Sequence, residues 1–238
     1  MIACLCVYYD ERESWLSQHL SSWAGVCDAF VYVDGAYFRF PGAMPRPASD
    51  VGAALALHET AAIFGAELIH YRPSHPFYGE QVEKRNFSLA LGRALPEAGP
   101  ETWFLVADAD TFAVHLDPEG LADVLRATDA NVAEISVHTL APDDGTPRSE
   151  RDKPQPYRGL FRNLPGLSYG PPPHHGHLSW QPVAGGERRY LRGGALTGQE
   201  TPENVRAYVV AEHRAALRDR ERLEARNRYY RSRDALGV

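Results

Sequence analysis

Strand-like and helix-like patterns alternate along the first 138 residues, and this alternation constrains the fold more than any other feature. Five short apolar runs rich in β-branched and aromatic residues are separated by segments with helical spacing. The runs cover Ile2–Tyr8, Phe30–Val33, Glu67–Tyr71, Trp103–Ala107 and Asn131–His138. Strands joined by crossover helices predict a mainly parallel sheet with right-handed connections. The sequence therefore predicts an α/β fold.

Helical spacing of the apolar residues predicts the segments between the strands. After the first strand, Asp10 is expected to cap a helix. The inner stripe of that helix is predicted to be Trp15, Leu16, His19, Leu20 and Trp23. Further helices are expected at about 50–64, 81–95 and 118–128, the last with Pro118 at its start. Residues 202–233 carry one long, arginine-rich helical pattern, which predicts a long helix there.

Changes in composition divide this single predicted domain into three parts. Residues 1–138 form its regular core. Residues 139–201 are expected to form an irregular lobe, because nine prolines fall within 141–187. Residues 202–238 form the arginine-rich helix, with nine arginines against six acids, or +3 of the net charge of −6.

Composition also limits the classes of protein that the chain can belong to. The net charge of −6 gives no overall attraction to nucleic acid, although the arginine-rich helix suits nucleic acid or another acidic partner. No apolar run reaches the roughly 18 residues of a membrane span, and no signal peptide is expected at the first residues. Three cysteines without a Cys-x-x-Cys spacing predict buried thiols, which favours a reducing, cytoplasmic setting.

The run Trp103–Ala107 reads as a strand buried on both faces, and it ends in two carboxylates. Asp108 and Asp110 follow it, separated by one residue. Ligands of open α/β sheets bind outside the carboxyl ends of the strands. Unpaired charge at a buried strand is costly, and two neighbouring acids can share a hard divalent cation. The sequence therefore predicts a cation site at this edge.

Other polar groups are predicted at the same edge of the sheet. The first strand ends at Tyr8-Tyr9-Asp10-Glu11 and the second at Asp34-Gly35. The predicted helix near residue 81 begins with Glu83-Lys84-Arg85-Asn86, which offers two cations close to a helix N-terminus. Such an arrangement suits anionic oxygens, so a diphosphate clamp is predicted.

Together these motifs make the chain resemble a GT-A-type glycosyltransferase, near the large family 2 group. The resemblance covers about residues 2–138 and rests on the four motifs that follow the strands or open the helix. It implies a GT-A-like (Rossmann-like) domain whose residues 1–138 bind a nucleotide sugar of the UDP or GDP type and whose residues 139–201 face the acceptor. The sequence departs from the family in Tyr-Tyr-Asp-Glu at the first strand, and in a single acid before Gly35.

The resemblance also implies roles for individual residues. Asp34 is expected to bind the nucleotide base, and Lys84 or Arg85 to lie near the phosphates. Asp108 and Asp110 are expected to position Mn²⁺ or Mg²⁺ and the donor ribose, with Asp110 as the direct ligand. Tyr8 and Asp10 are also expected to contribute to nucleotide binding.

The second half offers candidates for a third metal ligand and a catalytic base. Family members often supply a histidine ligand from a late loop, and His175 and His177 of His174-His175-Gly176-His177 are the leading candidates. These histidines with Asp110 are alternatively a zinc site, or only a surface loop. An inverting transfer needs a general base, for which Glu200 and Asp152 are candidates, although Glu200 alternatively caps the last helix.

Two arginines of the second half also have two interpretations. Arg158 and Arg162 flank Gly159-Leu160-Phe161, and they either balance phosphate charge or pair with core acids.

Three functions follow as hypotheses. The first is a metal-dependent glycosyltransferase that acts on an acceptor hydroxyl, with inversion. The second is a nucleotidyltransferase or phosphotransferase, which can use a similar sheet and paired acids, although Tyr9-Asp10-Glu11-Arg12 stands where a glycine-rich phosphate loop is common. The third is a binding module that kept the fold and lost the chemistry.

Overall fold

The computed structural model describes residues 1–36, 46–75, 81–140, 154–170, 177–181, 188–192, 200–214 and 224. The four helices within these ranges are α1 (Glu13–Trp23), α2 (Val51–Phe64), α3 (Gln81–Arg93) and α4 (Pro118–Ala127). The first six strands are β1 (Ile2–Val7), β2 (Ala29–Val33), β3 (Glu67–Tyr71), β4 (Trp103–Val106), β5 (Thr111–Leu116) and β6 (Val132–Thr139). The remaining strands are β7 (Gln155–Arg162), β8 (Ser168–Tyr169), β9 (Leu178–Trp180), β10 (Arg189–Arg192), β11 (Glu203–Asn204) and β12 (Val209–His213).

Nine of the described strands form one central sheet. Its order is β3-β2-β1-β4-β7-β6-β12-β5, with β11 beside β6. The strands β3, β2, β1 and β4 are parallel, and β6, β11 and β12 run in the same direction, whereas β7 and β5 are antiparallel to their neighbours. The expected α/β fold with a mainly parallel central sheet is confirmed.

Apolar side chains on both faces of the sheet make a three-layer structure. On one face, Cys4 and Cys6 of β1 pack with residues of α1, α2 and α4. On the other face, Ala3 and Leu5 pack with α3 and with the small antiparallel sheet β10-β9-β8. The helix α3 comes so close that a Cβ on Gly92 would lie 2.9 Å from Leu5 Cδ2. This two-sided burial explains why β1, β2 and β4 are nearly continuous apolar runs.

Several sequence predictions about the first half are confirmed. The five predicted strands and the four helices of this half occur close to the predicted bounds. Pro118 opens α4, and Asp117 caps it by accepting a hydrogen bond from Gly120 N at 3.0 Å. The three cysteines are buried and free, as expected. None of the helices in the described part of the chain is long and apolar enough to cross a membrane.

The cap predicted for α1 is wrong. Arg12 occupies the N-cap position and makes no side-chain capping bond. Asp10 lies two residues earlier with a φ of 54°, the left-handed region that non-glycine residues seldom adopt. Its backbone N donates to Ser49 Oγ at 2.8 Å, so the backbone here is fixed by the chain before α2 instead of by helix capping.

The long helix predicted at 202–233 is wrong over residues 203–213, which form β11 and β12. Val209 and Ala211 point into the core, and β12 lies between β6 and β5, so pairing with distant strands decides the conformation. The helix that was expected to bind nucleic acid or an acidic partner is therefore not formed by residues 203–213. Residues 215–223 and 225–238 lie outside the described residues.

The irregular lobe contains one long strand that the sequence did not reveal. The strand β7 enters the central sheet between β4 and β6, with Leu160 and Phe161 buried. Pro156 and Gly159 are residues that usually interrupt strands, so their presence predicts a loop. The strand forms with a register shift between Ala133 and Glu134 where it pairs with β6. The prediction of irregular structure is therefore wrong for residues 155–162. The strand β5, directly after the acids, was also missed.

Candidate functional site

The strand β4 brings the two predicted acids to the carboxyl edge of the sheet. All four of its residues are buried, and a tight turn follows, closed by a hydrogen bond from Thr111 N to Asp108 O at 2.8 Å. We call residues 108–111 the acid turn. The Asp108 side chain is 39% exposed, whereas the Asp110 side chain is 5% exposed. Both acids thus lie at the edge where open α/β sheets bind ligands.

Arg85 of α3 forms an ion pair with Asp108. Its Nη2 lies 2.7 Å from Asp108 Oδ1, and its guanidinium lies over the Tyr169 ring, 5.6 Å from the centroid. Burial would lower the pKa of Arg85, but the Asp108 carboxylate raises it, so Arg85 stays charged. Burial likewise opposes ionisation of Asp108, yet Arg85 outweighs it and the pKa of Asp108 is lowered. The site thus contains a fixed cation beside an ionised carboxylate.

Asp110 lies beside a histidine that the sequence analysis did not single out. His213 Nε2, at the end of β12, is 3.4 Å from Asp110 Oδ2, and the His213 side chain is 36% exposed. The next residue, Arg214, donates its backbone N–H to Asp110 O at 2.7 Å. The sequence signal for His213 as a site residue is weak. It lies just after the apolar run Val209-Val210-Ala211, in a segment whose pattern predicts a helix.

Asp34 is at the predicted edge, but its carboxylate is enclosed. Oδ1 accepts from Gly35 N at 2.6 Å and from Ser49 Oγ at 2.6 Å, and Oδ2 accepts from Ser49 N at 2.8 Å. Its side chain is only 1% exposed. In this structure Asp34 therefore holds the segment before α2 in place, and its expected contact with a nucleotide base stays a prediction.

Ser49 is a second residue that the sequence analysis missed, and it joins the ends of three strands. It hydrogen-bonds Asp34 after β2, its Oγ accepts from Asp10 N after β1, and its carbonyl accepts from Arg72 Nη2 at 2.5 Å after β3. Ser49 is buried. No recognisable motif surrounds it, so its role depends entirely on contacts that are distant in sequence.

The Lys84 ammonium binds backbone carbonyls, and its predicted contact with phosphate stays a prediction. The residue is buried, and its Nζ donates to two carbonyls, Tyr8 O and Gly35 O, each at 2.5 Å. The ammonium thus joins the ends of β1 and β2. Of the two predicted phosphate-binding cations, Arg85 forms an ion pair with Asp108 of the acid turn.

Tyr8 and Asp10 border the same edge in different environments. The Tyr8 hydroxyl lies 2.8 Å from His70 Nε2, and burial, with Asp34 nearby, raises the pKa of Tyr8. The Asp10 side chain is exposed and its Oδ1 lies 3.3 Å from Arg46 Nη2. Asp10 also lines a cleft of about 440 Å³ whose other walls come from residues 11–14 of the first helix region, Asp50 and Ala53.

Glu200 lies far from the acids. It accepts from Trp180 Nε1 at 2.7 Å and from Asn131 Nδ2 at 3.0 Å. Asn131 precedes β6, so this carboxylate is at the amino edge of the sheet, opposite Asp108. The structure does not bring Glu200 to the site for which a catalytic base was predicted, and Glu200 does not cap a helix either, since β11 follows it.

The histidine loop is only partly described. His174 and His175 lie outside the described residues, as does Asp152, so their predicted roles as ligand and base stay predictions. His177 packs its ring against Tyr190, with centroids 6.3 Å apart, and its carbonyl accepts from Gly170 N at 2.8 Å. The histidine found beside Asp110 is His213 and not His177.

Arg158 and Arg162 of β7 both pair with acids, but the second of their two predicted roles named core acids, and the partner of Arg162 is exposed. Arg158 Nε lies 3.5 Å from Glu134 Oε1, and Arg162 Nη1 lies 2.6 Å from Glu101 Oε2. A further arginine, Arg192 of β10, helps to lower the pKa of Asp108, although Arg85 has the larger effect. Arg192 Nη1 donates to Tyr157 OH at 2.7 Å, and its guanidinium lies 5.0 Å from that ring's centroid.

Two donor side chains at this edge, those of Asp110 and His213, lie close together. Among the described residues, no group of three or more His, Cys, Asp or Glu could hold a metal ion. The 3.4 Å between Asp110 Oδ2 and His213 Nε2 nevertheless matches two ligands of one ion, because bonds of about 2.1 Å at about 110° separate the donor atoms by about 3.4 Å. Carboxylate and imidazole together suit Mn²⁺. Water or ligand oxygens would complete such a shell.

Comparisons with known proteins give partial likenesses. No family model matches the sequence, and no curated protein matches it. The crystal structure of S. aureus TarS residues 1–349 has a TM-score of 0.40 and 16% identity over 68% of this chain and 47% of that one. A second S. aureus TarS crystal structure has a TM-score of 0.39 and 12% identity, over 68% of this chain and 28% of that one.

A third likeness is to 4-diphosphocytidyl-2C-methyl-D-erythritol synthase, with a TM-score of 0.37 and 15% identity over 68% of this chain and 74% of that chain. The chain thus spans less than half the length of either TarS structure. At these identities and TM-scores, neither a family nor an activity follows.

Proposed function

We propose that this protein is a metal-dependent glycosyltransferase of the GT-A type, similar to family 2, that transfers a sugar from a UDP- or GDP-type donor to an acceptor hydroxyl with inversion. The observation that carries the proposal is the pairing of each acid of the acid turn with a different partner. Asp108 is paired with Arg85, and Asp110 lies beside His213. This arrangement supports a site for a cation and a diphosphate.

The charges around the acid turn suit a nucleotide diphosphate. Arg85 keeps Asp108 ionised, and Arg192, held by Tyr157, adds a second cation on the same side. A bound divalent cation would neutralise charge on the diphosphate and stabilise it as a leaving group. Asp110 and His213 are the residues proposed to hold that cation.

The 440 Å³ cleft lined by Asp10 suits the uncharged nucleoside of the sugar donor, whose hydroxyl and N–H groups donate hydrogen bonds. Asp10, Glu13 and Asp50 line it and offer carboxylate oxygens at the carboxyl end of β1. Such oxygens accept hydrogen bonds from ribose hydroxyls and base N–H groups, whereas they repel phosphate. We therefore assign the nucleoside to this cleft and the diphosphate to the side of Arg85.

The acceptor hydroxyl must lose its proton as it attacks the anomeric carbon. Glu200 is at the opposite edge of the sheet and is already hydrogen-bonded to Trp180 and Asn131, so it is a poor candidate for the base. Asp152 remains the proposed base.

The test combines a donor panel with a substitution at the proposed metal ligand. The wild-type protein and Asp110→Asn are incubated with Mn²⁺ and a set of UDP- and GDP-sugars, and donor binding and hydrolysis are measured. We expect one class of donor to bind to and turn over on the wild type, and we expect Asp110→Asn to lose turnover by at least 10²-fold.

Two outcomes would contradict the proposal. One is a lack of the expected donor activity or of its dependence on Asp110: the wild type neither binds nor hydrolyses any donor, or Asp110→Asn turns the donor over as fast as an active wild type. The other is pyrophosphate release from a nucleoside triphosphate under the same conditions, which would indicate nucleotidyl transfer instead.

A further inference from the structure

Each of the four carbonyls of the acid turn accepts a hydrogen bond from a defined donor. Asp108 O accepts from Thr111 N at 2.8 Å, and Asp110 O accepts from Arg214 N at 2.7 Å. The two carbonyls between and after them accept from side chains of α1: Ala109 O from Trp15 Nε1 at 2.7 Å, and Thr111 O from Trp23 Nε1 at 2.9 Å. The turn that carries both acids is therefore held alternately by backbone and by indole N–H groups.

The α1 donors have helical spacing. Trp15 and Trp23 are eight residues apart, with His19 midway, so the three side chains lie on one face of the helix. His19 is fully buried, its Nδ1 lies 2.6 Å from Tyr32 OH, and its ring packs edge-on against Phe112. Burial lowers the pKa of His19 to about 4, so it is neutral at neutral pH. One turn of helix further, Ser22 Oγ accepts from Ala113 N at 3.2 Å.

Apolar packing alone does not require this pattern. The sheet-facing residues Leu16 and Leu20 already bury α1, and both have 0% exposure. An indole N–H that points into a protein needs an acceptor, and a turn carbonyl that is buried without a donor costs free energy. Trp15 and Trp23 each place an indole N–H on a carbonyl of the acid turn, so donor and acceptor are both satisfied. This is the turn whose acids lie beside Arg85 and His213.

We propose that α1 is a clamp that positions the acid turn, with Trp15 and Trp23 as positioning residues and His19 as the rigid spacer between them. The proposal rests on the proposed function. The indoles touch neither donor nor cation; they fix the backbone on which Asp108 and Asp110 sit. Small displacements of groups that bind a cation weaken the binding, because the donor atoms no longer meet at one point.

The test compares two tryptophans that make the same kind of bond at opposite edges of the sheet. Trp15→Phe keeps a ring and removes the N–H that binds Ala109 O. The matched control is Trp180→Phe, which removes an N–H bound to Glu200 at 2.7 Å. For both full-length variants, Mn²⁺ affinity is measured by electron paramagnetic resonance, UDP and GDP affinity is measured with and without Mn²⁺, and Tm is recorded.

The clamp predicts a specific pattern. Trp15→Phe should weaken Mn²⁺ binding about fivefold to tenfold, the effect of one lost hydrogen bond. It should also reduce the gain in nucleotide affinity that Mn²⁺ gives, while nucleotide affinity without Mn²⁺ stays unchanged. Trp180→Phe should change Tm only. Equal Mn²⁺ affinity in Trp15→Phe and the wild type would show that Trp15 only packs α1.

A metal-free measurement separates failure of the clamp from failure of the proposed function. Amide hydrogen exchange at Thr111 reports the turn's own hydrogen bond, and it should be about fivefold faster in Trp15→Phe but unchanged in Trp180→Phe. If the wild type binds no Mn²⁺, the proposed function fails and this exchange result alone decides the clamp. If Trp15→Phe does not fold, Trp23→Phe replaces it, because it removes the N–H bound to Thr111 O, and faster exchange is again expected at Thr111. Unchanged exchange there would overturn the clamp.

Discussion

Asp110 Oδ2 lies 3.4 Å from His213 Nε2, which joins the end of β4 to the end of β12 across about a hundred residues of sequence. The two residues are also linked through the backbone, because Arg214 N donates to Asp110 O. A histidine ligand from the second half of the chain was expected, and the histidine that lies beside Asp110 belongs to a strand where a helix was predicted.

We expect His213→Ala to weaken Mn²⁺ binding by about 10- to 100-fold, the loss typical of a residue that holds or orients a metal ligand. His115→Ala is the matched control, because His115 is exposed on the neighbouring strand β5. Mn²⁺ affinity is measured by electron paramagnetic resonance. A His213→Ala variant that binds Mn²⁺ as the wild type does would remove His213 from the site.

The ion pair between Arg85 and Asp108 predicts a pH effect. Because Arg85 lowers the pKa of Asp108, the carboxylate stays ionised as the pH falls, down to that lowered pKa. In Arg85→Met the burial of Asp108 is no longer opposed by this cation, so its pKa rises. The pH midpoint for protonation of Asp108, followed by the NMR signal of its carboxyl carbon in the metal-free protein, should therefore move upward by about one pH unit.

The control for this experiment is Arg93→Met in the last turn of the same helix. Arg93 donates to Leu167 O at 2.6 Å and is not paired with the acid turn. Its midpoint should equal that of the wild type. A shift of the same size in both variants would mean that α3 affects the site only through stability.

The order of the first strands was predictable because each is a local apolar run, and burial on both faces of the sheet requires such a run. The strand β12 was not, because its apolar run Val209-Val210-Ala211 is only three residues long and lies inside a long arginine-rich segment with a helical pattern. What decides its conformation is pairing with β6 and β5, whose residues are about 70 to 100 positions away. Local propensity is overridden there by tertiary contacts.

Likewise, the parts of the site that depend on local sequence were predictable, and the parts that depend on distant contacts were not. Asp108 and Asp110 follow from a buried strand that ends in charge. The orientation of Lys84 does not follow, because its two acceptors, Tyr8 O and Gly35 O, are 76 and 49 residues away in sequence. The hydrogen-bonding role of Trp15 and Trp23 does not follow either. Their helical spacing is the same whether they only pack in the core or also donate to the acid turn.

Lys84 is predicted to stabilise the fold and not to bind phosphate. Lys84→Met would leave Tyr8 O and Gly35 O without their buried cation, which costs about 2–3 kcal/mol. Urea unfolding of the metal-free and nucleotide-free protein measures this loss. If Lys84→Met instead unfolds like the wild type and loses only nucleotide affinity, Lys84 is a phosphate-binding residue after all.

His19 predicts a pH-dependent stability between about pH 6.5 and pH 4. Its pKa is lowered from 6.5 to about 4 by burial, so within this window the unfolded chain binds a proton that the folded chain does not. Stability should therefore fall as the pH falls, by about 3 kcal/mol over the window for this one group. Urea unfolding at several pH values should show a steeper slope for the wild type than for His19→Gln, and equal slopes would contradict the assignment.

Glu200 is predicted to act in the structure and not in catalysis. Its carboxylate joins Trp180 of the small sheet to Asn131 at the start of β6, and the Glu200 side chain is only 13% exposed. Glu200→Gln keeps an acceptor for one of these donors, so the unfolding free energy should fall by about 1 kcal/mol. The turnover rate, measured with the donor identified in the panel, should stay within about twofold of the wild type, whereas loss of a general base costs about 10²-fold or more. A loss of that size in Glu200→Gln, with the unfolding free energy unchanged, would restore Glu200 as the base.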